Sequence, residues 1–329
     1  MPKGTSRISK KLAEFPRLHN SLVPTPLQRL DGLCRRYGVE VWCKRDDLTG
    51  FAFGGNKTRK LDFLIPQALE NNCDTLIAIG AAQSNFCRMA AGYAAAGGLE
   101  TRLVLGGVDG EKPTGNLRLD YLLGARADFV NSPDWDDWAE AATKLEEELA
   151  DQGKRVFRLP VGGSTPIGAL GYAAALEEIA RDEQREGLAF QTIIHASSSA
   201  GTQAGLVVGQ ALSGHRARVL GISVAKPREI LEREVTELAR ATASLLGEPE
   251  LALPRVTADD SQLGTAYGDR TREGEAAVRF FAREYGIFLD YVYSGKAAAA
   301  LLARLENGEF GRDEAVLFIH TGGNIELFA

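Results

Sequence analysis

The stretch QTIIHASSSAGTQAGL, Gln191–Leu206, decides how this chain is read. QTIIHAS is a short run with adjacent isoleucines, apolar on both faces, as a strand covered by helices on both sides must be. Small residues follow from Ala196 to Gly201, and Thr202 opens a helical pattern, TQAGLVVGQALSG. Strand, small-residue turn and helix in that order make an α/β unit. The pattern recurs along the chain. Further candidate strands are VEVWCK (39–44), TLIAIG (75–80), TRLVLG (101–106), RVFRLP (155–160), RVLGISVA (218–225) and AVLFIH (315–320). Helical stretches such as KTRKLDFLIPQALENN, NFCRMAAGYAAAGG, PIGALGYAAALEEIARD and TREGEAAVRFFAREYG alternate with them. This predicts α/β architecture with mostly parallel sheets.

The 329 residues predict about two domains. With 44% apolar and 25% charged residues the composition is globular, and a net charge of −6 argues against a nucleic-acid partner. The basic opening MPKGTSRISKK is followed by no apolar core of a secretory signal, and no run approaches the roughly 18 apolar residues of a membrane span. A cytoplasmic protein without a membrane partner is the expectation. Cys34, Cys43, Cys73 and Cys87 form no C-x-x-C pair, and His19, His195, His215 and His320 form no closely spaced pair, so no metal site is expected.

In doubly wound sheets, ligands sit beyond the C-terminal ends of strands. Three segments qualify. GAAQSNFCR follows TLIAIG; Ser84 caps a helix running from about Asn85 to Ala96, whose N-terminus suits a carboxylate, or Ser84 does no more than cap. ASSSAGTQAGL follows QTIIH and is either a phosphate cradle or a tight turn; it lacks the dinucleotide pattern G-x-G-x-x-G. HTGGN follows AVLFI; Thr321 would face the same crevice, or the segment is a terminal turn. A fourth segment, GFAFGGNKTRKL (50–61), nearly matches the nucleotide loop G-x-x-x-x-G-K-[ST], but Asn56 intrudes before Lys57 and no apolar strand leads into it. An ATP binder is therefore the weaker reading. Lys57, beside glycines at a helix start, has room for a planar cofactor and can form a Schiff base, unless it is a solvated surface charge. With a separate phosphate cradle, the combination suits pyridoxal 5′-phosphate.

These segments resemble the fold-type II pyridoxal-phosphate enzymes, in the branch of 1-aminocyclopropane-1-carboxylate deaminase, D-cysteine desulfhydrase and L-cysteate sulfo-lyase. PTPLQRL (24–30), KRDD (44–47), GGNKTRKL (54–61), QSN (83–85), AGTQAGL (200–206), VYSGKA (292–297) and HTGG (320–323) occur in the family's order. The resemblance implies two open twisted, mostly parallel sheets with flanking helices, like tryptophan synthase β. It implies a smaller domain over about 53–164 inserted in a larger cofactor-binding one (1–52 plus 165–329), and a homodimer. Lys57 is implied as the Schiff-base lysine, and Lys60 with Ser199, Ala200, Gly201 and Thr202 as the phosphate site. Asn85 matches the partner of the cofactor's ring hydroxyl. Gln83, Ser84, Asn85 and Phe86 match the substrate site, and Ser84, Tyr267 and Tyr293 the remaining catalytic set. Ser294 and Thr321 stand where the deaminases carry Glu and Leu, with Ser294 at the position near the pyridine nitrogen.

A hydroxyl in place of that glutamate makes a weaker electron sink. Opening a cyclopropane needs a strong one; expelling thiolate or sulfite from Cβ does not. The expected activity is α,β-elimination from a small amino acid to pyruvate and ammonia, with cyclopropane deamination as the alternative. A non-catalytic pyridoxal-phosphate carrier would not need both tyrosines. Phe86, Tyr291 and Asn324 depart from the family pattern and bear on specificity.

Overall fold

The computed structural model describes residues 6–108 and 112–329. Ten strands fall into two sheets. β1 (Leu27–Arg29), β2 (Glu40–Lys44), β7 (Phe190–Ser197), β8 (Arg218–Ser223), β9 (Thr257–Asp259) and β10 (Ala315–Ile319) form a six-stranded sheet in the order β1-β2-β10-β7-β8-β9. Only the β1–β2 pair in it is antiparallel. β3 (Thr75–Ala81), β4 (Glu100–Gly106), β5 (Arg126–Val130) and β6 (Val156–Leu159) form an all-parallel sheet ordered β5-β4-β3-β6. The helices are α1 (Arg7–Leu12), α2 (Asp31–Tyr37), α3 (Asn56–Glu70), α4 (Asn85–Ala96), α5 (Gly115–Leu122) and α6 (Trp135–Asp151). They continue with α7 (Pro166–Glu186), α8 (Gly201–Ser213), α9 (Arg228–Leu245), α10 (Arg272–Tyr285) and α11 (Ser294–Glu306).

Each sheet is covered on both faces, which explains its continuous apolar strands. On the larger sheet Ile194, Ala196, Val316 and Phe318 pack with Ala277, Phe281 and Leu301 of α10 and α11. The alternate residues Ile193, Leu317 and Ile319 pack with Tyr172, Leu176 and Leu206 of α7 and α8. On the smaller sheet Leu76, Ala78, Leu103 and Leu105 meet α3 and α4, while Ile77, Ile79 and Val104 meet α6. Burying one such aliphatic side chain stabilises the fold by about 1.5–3 kcal/mol.

The seven expected strands occur within two residues of their expected limits. The three not anticipated, β1, β5 and β9, are all edge strands; two are three residues long, and RADFV in β5 mixes charge with apolar residues. Pro66 lies inside α3 without ending it. Proline cannot donate to the carbonyl four residues back. The carbonyl of Asp62 instead accepts from Leu18 N–H at 2.8 Å, so the N-terminal segment repairs the gap.

The topology fixes where a ligand can sit. Between β7 and β10 the chain leaves the larger sheet in opposite directions, and between β3 and β6 it does so in the smaller one. Such switch points open crevices at strand C-termini. The four segments at these ends contribute Ser198–Ala200, Thr321–Gly323, Ala81 with Ser84, and Val161 with Gly162 to one cavity.

Candidate active site

The cavity is walled by Asn56 and Lys57, by Ser84, Asn85 and Phe86, by the small-residue run 196–202, and by Tyr267, Tyr293 and Thr321. Segments far apart in sequence thus converge, as the topology requires. Lys57 stands in the first turn of α3, its Nζ 3.2 Å from Asn56 Oδ1. β2 ends at Lys44, and two short 3-10 turns, Asp46–Leu48 and Phe51–Phe53, separate it from α3. A nucleotide loop leads directly from strand to helix, so this geometry disfavours the ATP reading.

Burial is the main cause that lowers the Lys57 amine to about 8, while Asp290 opposes it. Burial also holds Lys60 well below its ordinary value, and the nearby Lys57 pushes it the same way. Lys60 is 1% exposed, and among the described residues its Nζ donates only to the Gly162 carbonyl, at 3.1 Å. Two partly or fully buried amines, neither of them hydrogen-bonded to a carboxylate among the described residues, form a site for an anion.

The run 196–202 supplies the rest of that site. Ala200 holds φ 67°, a conformation that costs alanine about 1 kcal/mol or more, and it turns the chain into α8. A Cβ on Gly201 would lie 2.7 Å from Lys60 Nζ and 2.8 Å from Ser164 Oγ, so only glycine permits that approach. Ser164 Oγ donates to Ser199 Oγ at 2.9 Å, and Asn56 Nδ2 to Thr202 Oγ1 at 3.0 Å. The buried Ser197 Oγ has no hydrogen-bond partner among the described residues. Lysines, a partnerless hydroxyl and the N-terminus of a 13-residue helix suit a phosphate group.

Across the cavity Ser84 caps α4, its Oγ accepting from Cys87 N–H at 3.2 Å. A Cβ on Gly80 would come within 2.5 Å of that oxygen, which is why the turn after β3 needs glycine there. Asn85 Oδ1 accepts from Arg88 Nη1 at 2.9 Å and Asn116 Nδ2 at 3.1 Å. The Tyr267 and Tyr293 hydroxyls share a hydrogen bond, and their rings lie 6.2 Å apart. Burial raises both phenols, Tyr293 far above the usual range, so both keep their protons near neutrality.

Two expected residues stand off the cavity wall. Gln83 gives its amide to the start of α5: Nε2 donates to Thr114 O at 3.2 Å and Oε1 accepts from Asn116 N–H at 2.8 Å. Ser294 is fully buried, and its Oγ donates to Asp290 Oδ1 at 2.5 Å. Asp290 also accepts from the N–H groups of Val292, Tyr293 and Ser294, so this carboxylate organises the turn that presents Tyr293. Thr321 remains on the wall, and its carbonyl accepts from Asn56 N–H at 2.9 Å.

The sequence pattern of the family described as "Pyridoxal-phosphate dependent enzyme" matches residues 19–322. The chain belongs to that family. Its cofactor is pyridoxal phosphate, and the lysine pair with the small-residue cradle fits it. Among similar proteins, a D-cysteine desulfhydrase of Serratia proteamaculans is 40% identical over 332 residues, spanning 98% of each chain. A putative 1-aminocyclopropane-1-carboxylate deaminase of Pyrococcus furiosus is 38% identical over 319 residues, 96% of this chain and 94% of that one. The solved structure of an ACC deaminase homologue superposes with a TM-score of 0.91 at 36% identity, covering 99% and 97%.

Sequence reasoning missed several residues of this pyridoxal-phosphate enzyme. Trp135 and Trp138 of α6 line the cavity, and Trp135 stacks edge-on to Tyr267 at 5.9 Å. Their helix has an ordinary amphipathic pattern, so nothing local marked them. Asp120, behind Asn116, is fully buried, and neither of its oxygens is hydrogen-bonded among the described residues. Burial pushes its carboxyl up to about 7, against the pull of Arg88. A raised carboxyl favours folding while protonated, and that advantage drains away as pH rises from about 4 to about 7. Asp120→Asn is therefore expected to raise the melting temperature at pH 8 and to raise it by less than half as much at pH 5. A lower melting temperature at pH 8 would show that the charge is needed.

Proposed function

We propose that this enzyme is a lyase that removes the β-substituent of a small cysteine-like amino acid, releasing pyruvate and ammonia. The observation that carries this reading is the cavity wall: among the described residues lining it there is no Asp or Glu. Nothing there holds a pyridine nitrogen protonated, which favours expulsion of a good leaving group over opening of a cyclopropane. The desulfhydrase relative, similar over its whole length, supports the same choice.

When bound, the cofactor supplies the electron sink that makes the substrate's Cα–H acidic. Lys57 holds the cofactor and, when free, takes that proton; an amine lowered to about 8 is a suitable base near neutral pH. Ser84 and the N–H groups at the start of α4 receive the substrate carboxylate. Tyr267 and Tyr293, both protonated, stand as donors towards the departing group. Phe86, Trp135 and Trp138 exclude water from this corner. With the cofactor bound, Asn85 would meet its ring hydroxyl, and Lys60 with Ser199–Thr202 would hold its phosphate. Gln83 and Ser294 support these groups from behind.

The division into a smaller domain over 53–164 and a larger one is part of this proposal, supported by the four strands of the smaller sheet all falling between Thr75 and Leu159. So are a homodimer and a cytoplasmic location, which rest on the family resemblance and on the absence of any described helix long and apolar enough to cross a membrane.

The test is product analysis with D-cysteine, L-cysteine, L-cysteate and β-chloroalanine. Pyruvate from at least one sulfur substrate, with an equal amount of sulfide or sulfite, is expected. No pyruvate from any of the four would overturn the elimination reading.

A further inference from the structure

Arg88 is 1% exposed, yet all its hydrogen bonds go to uncharged oxygens. Its Nε donates to Ala52 O at 2.9 Å and its Nη2 to Gly54 O at 3.0 Å. Those carbonyls flank Phe53 in the segment that delivers Lys57, where Ala52 and Phe53 both hold positive φ, 47° and 65°. Its Nη1 donates to the side-chain oxygens of Asn85 and Asn116. Asn116 in turn is anchored by Gln83, through Gln83 O at 2.8 Å, and donates to the same Asn85 oxygen.

The consequence for Asn85 is definite. An amide can turn by half a rotation and exchange its donor for its acceptor. Two donors on Oδ1 select one orientation, leaving Nδ2 to face the cavity. Donors bound to a cation's network also make this preference stronger than a neutral pair would.

We propose that Arg88, seconded by Asn116, is a positioning residue that locks the Asn85 amide with its N–H towards the cofactor's ring oxygen while clamping the Ala52–Gly54 segment ahead of Lys57. This rests on the assignment of Asn85 to the ring oxygen. The arrangement joins the two sides of the cofactor site, the lysine segment and the ring contact, through one guanidinium. It also explains why Gln83 turns away from the cavity: it holds Asn116, which holds Asn85.

A donor on the ring oxygen stabilises the form of the bound chromophore that has lost its proton, since the oxygen then bears the full negative charge. The midpoint of the visible-band pH titration reports this directly, independently of turnover. Arg88→Met in the cofactor-loaded enzyme is expected to raise that midpoint by about one pH unit, a tenfold change in the ionisation equilibrium. Asn85→Ala should raise it similarly, and adding Arg88→Met to Asn85→Ala should move it no further. Arg88→Lys, which restores one donor, should give an intermediate midpoint. If Arg88→Met does not fold, Asn116→Ala, which leaves the guanidinium in place, should shift the midpoint in the same direction and likewise lose its effect beside Asn85→Ala. An unchanged midpoint in Arg88→Met or Asn116→Ala, or a shift that persists in full beside Asn85→Ala, overturns the positioning role. An unchanged midpoint in Asn85→Ala alone overturns the ring-oxygen assignment instead, leaving the cofactor's attachment to Lys57 untouched.

Discussion

Lys57→Ala is expected to lower turnover by at least about 10³-fold, because the proposed role of this one side chain is both to hold the cofactor and to serve as base. Borohydride reduction followed by peptide mapping should place the cofactor's mass on the peptide containing Lys57 in the parent enzyme and nowhere in the variant. The apoprotein should behave in the opposite sense. Burial lowers the folded amine to about 8, against about 10.5 in the unfolded chain. The folded state therefore carries a penalty that is complete below pH 8 and disappears as pH rises past about 10. Removing the amine should stabilise the cofactor-free protein at pH 7 by about 1–3 kcal/mol, the range allowing for solvent in the cavity. A variant that loses turnover and stability together would mean that Lys57 is a structural residue.

The second large effect lies behind α3. Arg59, 1% exposed, donates to both oxygens of Asp46, at 2.9 and 2.7 Å, and to both oxygens of Glu178, at 2.9 and 3.2 Å. Lys44 Nζ reaches Asp182 and Glu178, each at 2.6 Å, and Tyr172 donates to Asp46 at 2.5 Å. This network fastens the helix that carries Lys57 and Lys60 to α7 and to the segment around Thr25. Arg59→Met would leave the buried Asp46 carboxylate without its cation and Glu178 with Lys44 alone, and breaking a buried pair from one side costs about 3–5 kcal/mol. A denaturant titration at pH 7 should show that loss. Burial opposes ionisation of Glu178, but Arg59 and Lys44 together hold its carboxyl at about 2, below the ordinary 4.5. Its contribution is thus complete above pH 4.5 and drains away as pH falls towards 2, so the parent should lose stability over that window more steeply than Glu178→Gln. Equal acid sensitivity in the two proteins would mean that the network does not hold that charge.

The legibility of this protein in its sequence follows the range of its interactions. Strands covered on both faces, such as TLIAIG and AVLFI, announce themselves, because burial on two sides demands unbroken apolar runs. Edge strands such as RADFV have no such demand on them. The proposed cofactor residues stand out for a related reason: glycines and small residues at strand ends let a ligand approach the backbone beside a lysine. What stayed hidden is set by distant partners. Burial, the largest cause of the lowered Lys57 amine, comes from the packing of the whole cavity and is not written in the helix start that carries the lysine. Ser294 and Gln83 sit in motifs that face the cavity in linear order, but the hydroxyl of one goes to Asp290 and the amide of the other to the start of α5. Arg88, Asn116 and Asp120 carry no motif of their own, because their meaning comes from α4 lying against α5.

The most direct measurement compares D-cysteine with 1-aminocyclopropane-1-carboxylate on one preparation of the holoenzyme, reading pyruvate and sulfide from the first and 2-oxobutanoate from the second. The account predicts equal amounts of pyruvate and sulfide from D-cysteine, both lost in Lys57→Ala, and little or no 2-oxobutanoate. Faster formation of 2-oxobutanoate than of pyruvate would contradict it, because a cavity wall without a carboxylate would then support the cyclopropane opening it is held to disfavour.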